Sequence, residues 1–251
     1  MFNNWRGHIL AHRCGMNRGM ENTLEAIEQA YNDGADGFEC DVRMTADGVP
    51  VVIHDTDLWR VAHHRGIVKK MIKSEINTVR LRTGERIPSV AEVMDFVKQK
   101  HWRVTFEIKD ISPELAKKLV KLSFEHRLSN ERCQFLTYAK DGWLLTDLKQ
   151  EYPYINTSAM FKMPYQLVKR AKKLNVNMIC VGWLSQTQKW FFGSMAELLQ
   201  LKDEIRKAHD QCYKVIAGIT NQVAAVEYLL DFNVDGIYTN NVPSVRQILN
   251  R

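Results

Sequence analysis

Apolar residues recur along this chain at two alternating spacings. Short runs rich in Val, Ile, Leu and Phe give way to longer stretches in which apolar positions fall three or four apart, and then the runs return. The first spacing predicts buried strands and the second amphipathic helices. Residues 8–11 form the first run. Asn22 then stands at the N-cap of a helix whose stripe is Leu24, Ile27 and Tyr31, with a stop at Asp33-Gly34. Residues 37–42 read as the second strand, and 49–53 as an apolar run after the turn at Asp47-Gly48. Regularity then lapses over 57–88, which reads as an excursion from the main body.

The alternation resumes at Ser89-Val90-Ala91-Glu92, a capping box that opens a helix with Val90, Val93, Met94 and Val97 on one face. Residues 103–108 read as a strand, and Ser112-Pro113 starts a helix striped by Leu115, Leu119 and Leu122. Further strands are predicted over 133–137, 155–160, 176–181, 214–219 and 234–239. Helices are predicted over 141–149, 221–230 and 243–249, and Ser194-Met195-Ala196-Glu197 offers a second capping box. About eight strand–helix units in 251 residues match the ~250 residues of a (β/α)8 barrel. An open doubly wound sheet would want a glycine-rich phosphate loop after its first strand, and neither usual form is present. The expected fold is α/β, a single-domain (β/α)8 TIM barrel over 1–251 with a small excursion at about 57–88.

Composition narrows the classes. A chain of 251 residues that is 45% hydrophobic can bury a large core, and it contains no apolar run of ~18 residues that would span a membrane. The first six residues lack the apolar core of a signal peptide, which makes the cytoplasm the expected location. Five scattered cysteines without a C-x-x-C pair suit reduced thiols. The net charge of +6 favours anionic ligands. Part of it lies between Arg60 and Arg86, as a solvated surface or as a rim that draws in a negative substrate. No nucleic-acid motif accompanies it, so no nucleic-acid partner is expected.

The chemistry starts at Phe38-Glu39-Cys40-Asp41-Val42, an apolar strand carrying two carboxylates. Positions i and i+2 of a strand share a side, so Glu39 and Asp41 project together. Two anions that close raise each other's pKa unless a cation lies between them, and an all-oxygen pair suits Mg2+ or Ca2+. In a barrel of this kind functional groups gather at the carboxyl ends of strands. There the first strand offers His12-Arg13, the apolar run after the turn offers His54-Asp55, and the strand at 103–108 offers Glu107-Ile108-Lys109. Buried charge is costly unless paired or metal-bound, so successive strand ends of this type point to a site rather than to packing.

Taken together these stretches resemble the glycerophosphodiester phosphodiesterase family. The resemblance is carried by Ala11-His12-Arg13 with Gly15, Glu21-Asn22-Thr23, and the segment from Gly34 to Val42. It continues through Thr45-Ala46-Asp47-Gly48, Val51-Val52-Ile53-His54-Asp55, Glu107-Ile108-Lys109 and the segment from Val234 to Thr239. It implies a TIM barrel and a phosphoric diester hydrolase acting on a small-molecule glycerophosphodiester. It also implies one divalent ion, Mg2+ or Ca2+, held by Glu39, Asp41 and Glu107, with catalytic histidines His12 and His54 and phosphate contacts from Arg13 and Lys109. The alternatives are cleavage of lysophospholipids through a cyclic phosphate, and a protein that binds a phosphodiester without turnover. Departures from the family pattern are Cys14 before Gly15, Met20 before Glu21, Thr137-Tyr138, Gly218-Ile219-Thr220-Asn221 and Asn240 after Thr239. They spare every ligand and histidine and fall where the alcohol of the substrate would lie. Trp183, Trp190, Phe191 and Phe192 form an aromatic cluster, read as a satellite core or as a lip for peripheral membrane contact.

Overall fold

The computed structural model describes residues 7–16, 21–182, 197, 200–221 and 223–249. The aromatic cluster at 183–192 and Ser194-Met195-Ala196 of the second capping box lie outside the described residues. The strands are β1 (His8–Ala11), β2 (Gly37–Met44), β3 (Pro50–Val52), β4 (Val104–Ile108), β5 (Cys133–Tyr138), β6 (Asn156–Phe161), β7 (Met178–Val181), β8 (Lys214–Gly218) and β9 (Gly236–Thr239). All but β3 run parallel, each hydrogen-bonded to the next, and β9 pairs with β1 while β1 pairs with β2. This closes an eight-strand parallel barrel with helices between its strands, the fold expected from the sequence.

Strand parity decides what faces where. Phe38, Cys40 and Val42 are buried in the layer between barrel and helices, whereas Glu39 and Asp41 on the same strand face the axis. The axis below them is filled by Leu10, Leu136, Met178, Cys180, Ile216 and Tyr238. Burying side chains of this size stabilises by about 1.5–3 kcal/mol each, so the barrel is a packed core and not a pore. Register sets Asp41 directly opposite Glu107 on the neighbouring strand.

The helices that concern the site are α1 (Leu24–Asn32), α2 (Trp59–Ala62), α3 (Lys73–Thr78) and α4 (Val90–Lys100). The Ser89 capping box forms as expected: Ser89 Oγ accepts from the Glu92 amide at 3.3 Å, and Glu92 Oε2 accepts from the Ser89 amide at 2.7 Å. Such a cap contributes about 1 kcal/mol.

Two local expectations change. The cap of α1 is Thr23, whose Oγ1 accepts from the Ala26 amide at 3.0 Å. Asn22 is drawn away by a buried carboxylate. The run at 49–53 is no stave of the barrel: β3 lies antiparallel on β2, pairing Met44 with Pro50 and Val42 with Val52. β2 overshoots the barrel mouth, turns at 45–48 and comes back, so that the Ile53 amide bonds the Asp41 carbonyl at 2.9 Å. Residues 57–88 then fold over the outside of this hairpin. They carry α2 and α3 and a small core of Leu58, Val68, Ile76, Val79 and Ile87 laid against Val51 and Ile53.

Candidate functional site

The site begins where β1 ends. Ala11 leads into a single 3-10 turn over His12–Cys14, in which Arg13 (φ 49°) and Cys14 (φ 66°) both adopt the left-handed conformation. Each such residue costs roughly 1 kcal/mol or more. The turn aims the Arg13 amide at Glu39 Oε2, 3.0 Å away, and leaves the Arg13 carbonyl to accept from the Asn22 amide at 2.9 Å. Asn22 in turn clasps Asp41: its Nδ2 donates to Asp41 Oδ2 at 2.9 Å, and its Oδ1 accepts from the Asp41 amide at 3.1 Å.

Glu39, Asp41 and Glu107 are all buried and offer one oxygen each within 4.8 Å of one another. Two cations reach them. Lys109 Nζ stands 2.6 Å from Glu107 Oε1 and 3.0 Å from Asp41 Oδ1, and Arg13 Nε stands 3.5 Å from Asp41 Oδ2. Glu39 Oε1 is buried and has no hydrogen-bond partner among the described residues. Burial, reinforced by Asp41 and Glu107, pushes the Glu39 carboxyl well above the usual range. Burial also raises Glu107, with Lys109 opposing it. For Asp41 burial acts upward too, but Lys109 and Arg13 together hold its carboxyl below the usual range. Three inward carboxylates, an orphaned oxygen and a deficit of positive charge fit a divalent cation with oxygen ligands.

The two imidazoles are held differently. His12 Nδ1 donates to Asn240 Oδ1 at 2.7 Å, which leaves the Nε2 lone pair facing inward, 3.8 Å from Glu39 Oε2. Burial, aided by the neighbouring Arg13 charge, lowers its pKa to about 4. His54 Nδ1 meets the carboxylate Oδ1 of Asp55 at 2.6 Å. Burial lowers its pKa as well, although Asp41 and Asp55 pull the other way. These groups open into a cavity of about 530 Å³. His12, Arg13, Glu39, His54, Glu107 and Lys109 line one side, and Leu136, Tyr138, Met160, Ile219 and Tyr238 line the other. Burial raises the Tyr138 hydroxyl to about 12, so this wall presents a neutral phenol at neutral pH.

All seven residues singled out in the sequence therefore lie at one end of the barrel, His54 arriving on the returning hairpin rather than on a stave. Sequence reasoning missed Asn22 as a clasp for Asp41, although the residue lies inside a motif it used. It noticed Asn240 only as a departure, and Asp55 only as a neighbour. It read Arg60 only as part of the basic stretch, a solvated surface or a rim, yet the side chain bonds both Asp55 and Glu21.

Comparisons with known proteins agree with this geometry. The sequence profile of the Glycerophosphoryl diester phosphodiesterase family matches residues 12–244. A glycerophosphodiester phosphodiesterase of Caldanaerobacter subterraneus subsp. tengcongensis is 26% identical over 247 residues, covering 93% of each chain. Human glycerophosphodiester phosphodiesterase 1 is 32% identical over 139 residues, which span 51% of this chain and 42% of that one. Among solved structures, an Oleispira antarctica phosphodiesterase in complex with the product sn-glycerol-3-phosphate superimposes with a TM-score of 0.82 at 20% identity, covering 98% of both chains. At that identity the likeness speaks for the fold, while the profile spans nearly the whole chain and includes every residue of the site. The chain belongs to the glycerophosphoryl diester phosphodiesterase family.

Proposed function

We propose that this protein hydrolyses a glycerophosphodiester to glycerol phosphate and an alcohol, with one divalent ion, Mg2+ or Ca2+, held by Glu39, Asp41 and Glu107. The observation that carries the reading is the convergence of three buried carboxylates, one with an oxygen left unpartnered, and two imidazoles on one cavity. Family membership and the product bound by the Oleispira structure support the same substrate class. When bound there, the ion would supply a Lewis acid that polarises a phosphate oxygen and offsets negative charge on the phosphate oxygens.

The chain's own residues do the rest. Arg13 and Lys109 meet the remaining phosphate oxygens, the first as a planar fork and the second as a point charge. His12 is backed by a neutral amide and kept uncharged by burial, so its Nε2 is free to take the proton of the nucleophile. That nucleophile is water, or the neighbouring hydroxyl of the glycerol, whose attack gives a cyclic phosphate that water then opens. His54 is backed by the Asp55 carboxylate, the better support for an imidazolium, and in that protonated form its Nε2 gives a proton to the departing alcohol oxygen and regains one from water afterwards.

The test is release of glycerol phosphate from a panel of glycerophosphodiesters by protein stripped of metal and then resupplied with Mg2+ or Ca2+. Metal-dependent release is the expected result. Binding of substrate without release under either ion would leave only a phosphodiester-binding protein. A second reading, lysophospholipid cleavage through a cyclic phosphate, draws on the apolar side of the cavity formed by Leu136, Met160 and Ile219. Phosphorus NMR of the products separates the two.

A further inference from the structure

We propose that Arg60 is a positioning residue for this reaction. From the segment outside the barrel, its guanidinium holds Asp55 against His54 and Glu21 against Arg13, fixing the proton-donating imidazole and the phosphate-binding cation together. The proposal rests on the functional reading above and extends it to a residue that lines no part of the catalytic cavity.

Arg60 stands on the one-turn helix α2. Its Nε donates to Asp55 Oδ2 at 2.5 Å, while Nη1 and Nη2 donate to Glu21 Oε2 and Oε1 at 2.9 and 2.6 Å. The far oxygen of Asp55 meets His54 Nδ1 at 2.6 Å. Glu21 Oε1 also accepts from Arg13 Nη1 at 3.4 Å, and Arg13 leads on to Asp41. An unbroken path of hydrogen bonds and ion pairs thus runs from His54 through Asp55, Arg60, Glu21 and Arg13 to Asp41.

An ordinary surface ion pair is the competing account, since the Arg60 side chain is 47% exposed and such pairs contribute little. Three features weigh against it. All three bonds use one rigid fork, a geometry a lysine cannot reproduce. Glu21 is itself buried, and among the described residues it would keep only its long side-chain bond to Arg13 without Arg60. Each acid held by Arg60 touches a residue of the catalytic cavity, and outer partners of this type orient the groups that react. Beside them a second cavity of about 350 Å³ is lined by Glu21, Asn22 and Arg60. It gives a small cation access to the place Arg60 fills.

The experiment compares wild type, Arg60→Ala, Arg60→Lys, His54→Ala and the Arg60→Ala/His54→Ala double variant on one glycerophosphodiester, with melting curves for each. Arg60→Ala is expected to lower kcat about 10–100-fold and to raise KM, with a modest fall in melting temperature from the uncovered Glu21 carboxylate that leaves the protein folded at the assay temperature. Arg60→Lys keeps the charge and recovers little. In the His54→Ala background the kcat loss disappears while the rise in KM, which acts through Arg13, remains. Millimolar guanidinium restores kcat in Arg60→Ala and leaves the kcat of the double variant unaffected. An inactive wild type or a fully active His54→Ala overturns the functional reading and this proposal with it. With those controls normal, an Arg60→Ala enzyme of wild-type kcat and KM overturns the proposal alone. So does a loss that is the same in both backgrounds, tracks a lowered melting temperature and ignores guanidinium.

Discussion

The two sides of the barrel mouth differ in kind. β1, β2, β4 and the returning hairpin supply His12, Arg13, Glu39, Asp41, His54, Glu107 and Lys109, a dense set of charged and titratable groups. The cavity wall across from them carries Leu136, Tyr138, Met160, Ile219 and Tyr238, with no ionised side chain among its described residues. Fixed charges act more strongly where water is excluded, so an apolar wall facing the charged one strengthens every interaction with a phosphate between them. The division also separates tasks. On the proposed reading, bond cleavage falls to the charged side and recognition of the alcohol to the other, where the departures from the family pattern at Tyr138, Ile219 and Asn221 are found.

The sharpest way to break this division is to remove charge from the charged side. Glu39→Gln, Asp41→Asn and Glu107→Gln are each expected to lower kcat/KM by about 10^3-fold or more, since several kcal/mol of charge stabilisation depend on them. Calorimetric titration with Mg2+ or Ca2+ should show weakened binding in each. Replacing His12 or His54 with Ala comes next, lowering turnover by about 10^2-fold or more while metal affinity stays nearly intact. Full turnover in either variant would remove that histidine from the chemistry.

A finer probe is Asn240→Asp. A carboxylate in place of the amide favours the imidazolium form of His12, whose pKa burial now holds at about 4. His12 must be neutral to accept a proton, so the acid limb of the kcat/KM profile should move to higher pH. An unmoved limb would mean that another group sets it. On the apolar side, Met160→Ala should alter KM by no more than about tenfold, to an extent that depends on the alcohol, with kcat on the smallest substrate nearly unchanged. The smallest effect concerns the thiols. Cys14, Cys40, Cys133 and Cys180 are buried, and burial raises the pKa of each, whereas Cys212 is exposed. An alkylating reagent should modify one thiol in the native protein without loss of activity, and five after unfolding.

How much of this was legible depended on the range of the interaction. The inward pair Glu39 and Asp41 follows from the period of a strand, which is local and strict. The start of α4 follows from a capping box written in four consecutive residues. Asn22 and Thr23 are both good caps, and which of them caps α1 was settled by Asp41, a tertiary partner that no local rule contains. The path of His54 was hidden for a similar reason. An apolar run after a turn reads the same whether it becomes a stave or folds back along its predecessor. Arg60 was the least visible, because in sequence it is one basic residue among many, and its partners lie 5 and 39 positions away.

The seam of the barrel lies between its first and last strands. β1 needs β9 at its flank, and His12 leans on Asn240, 228 positions further along the chain. A ribosome delivers the acids and both imidazoles by the end of β4 at Ile108, and reaches β9 at Gly236 only much later, so the seam waits unsewn over all the stretch between. Contacts of such separation form late, and the uncovered flank of β1 is a hazard while they wait. The wall behind His12 is therefore complete only once translation has passed its final strand.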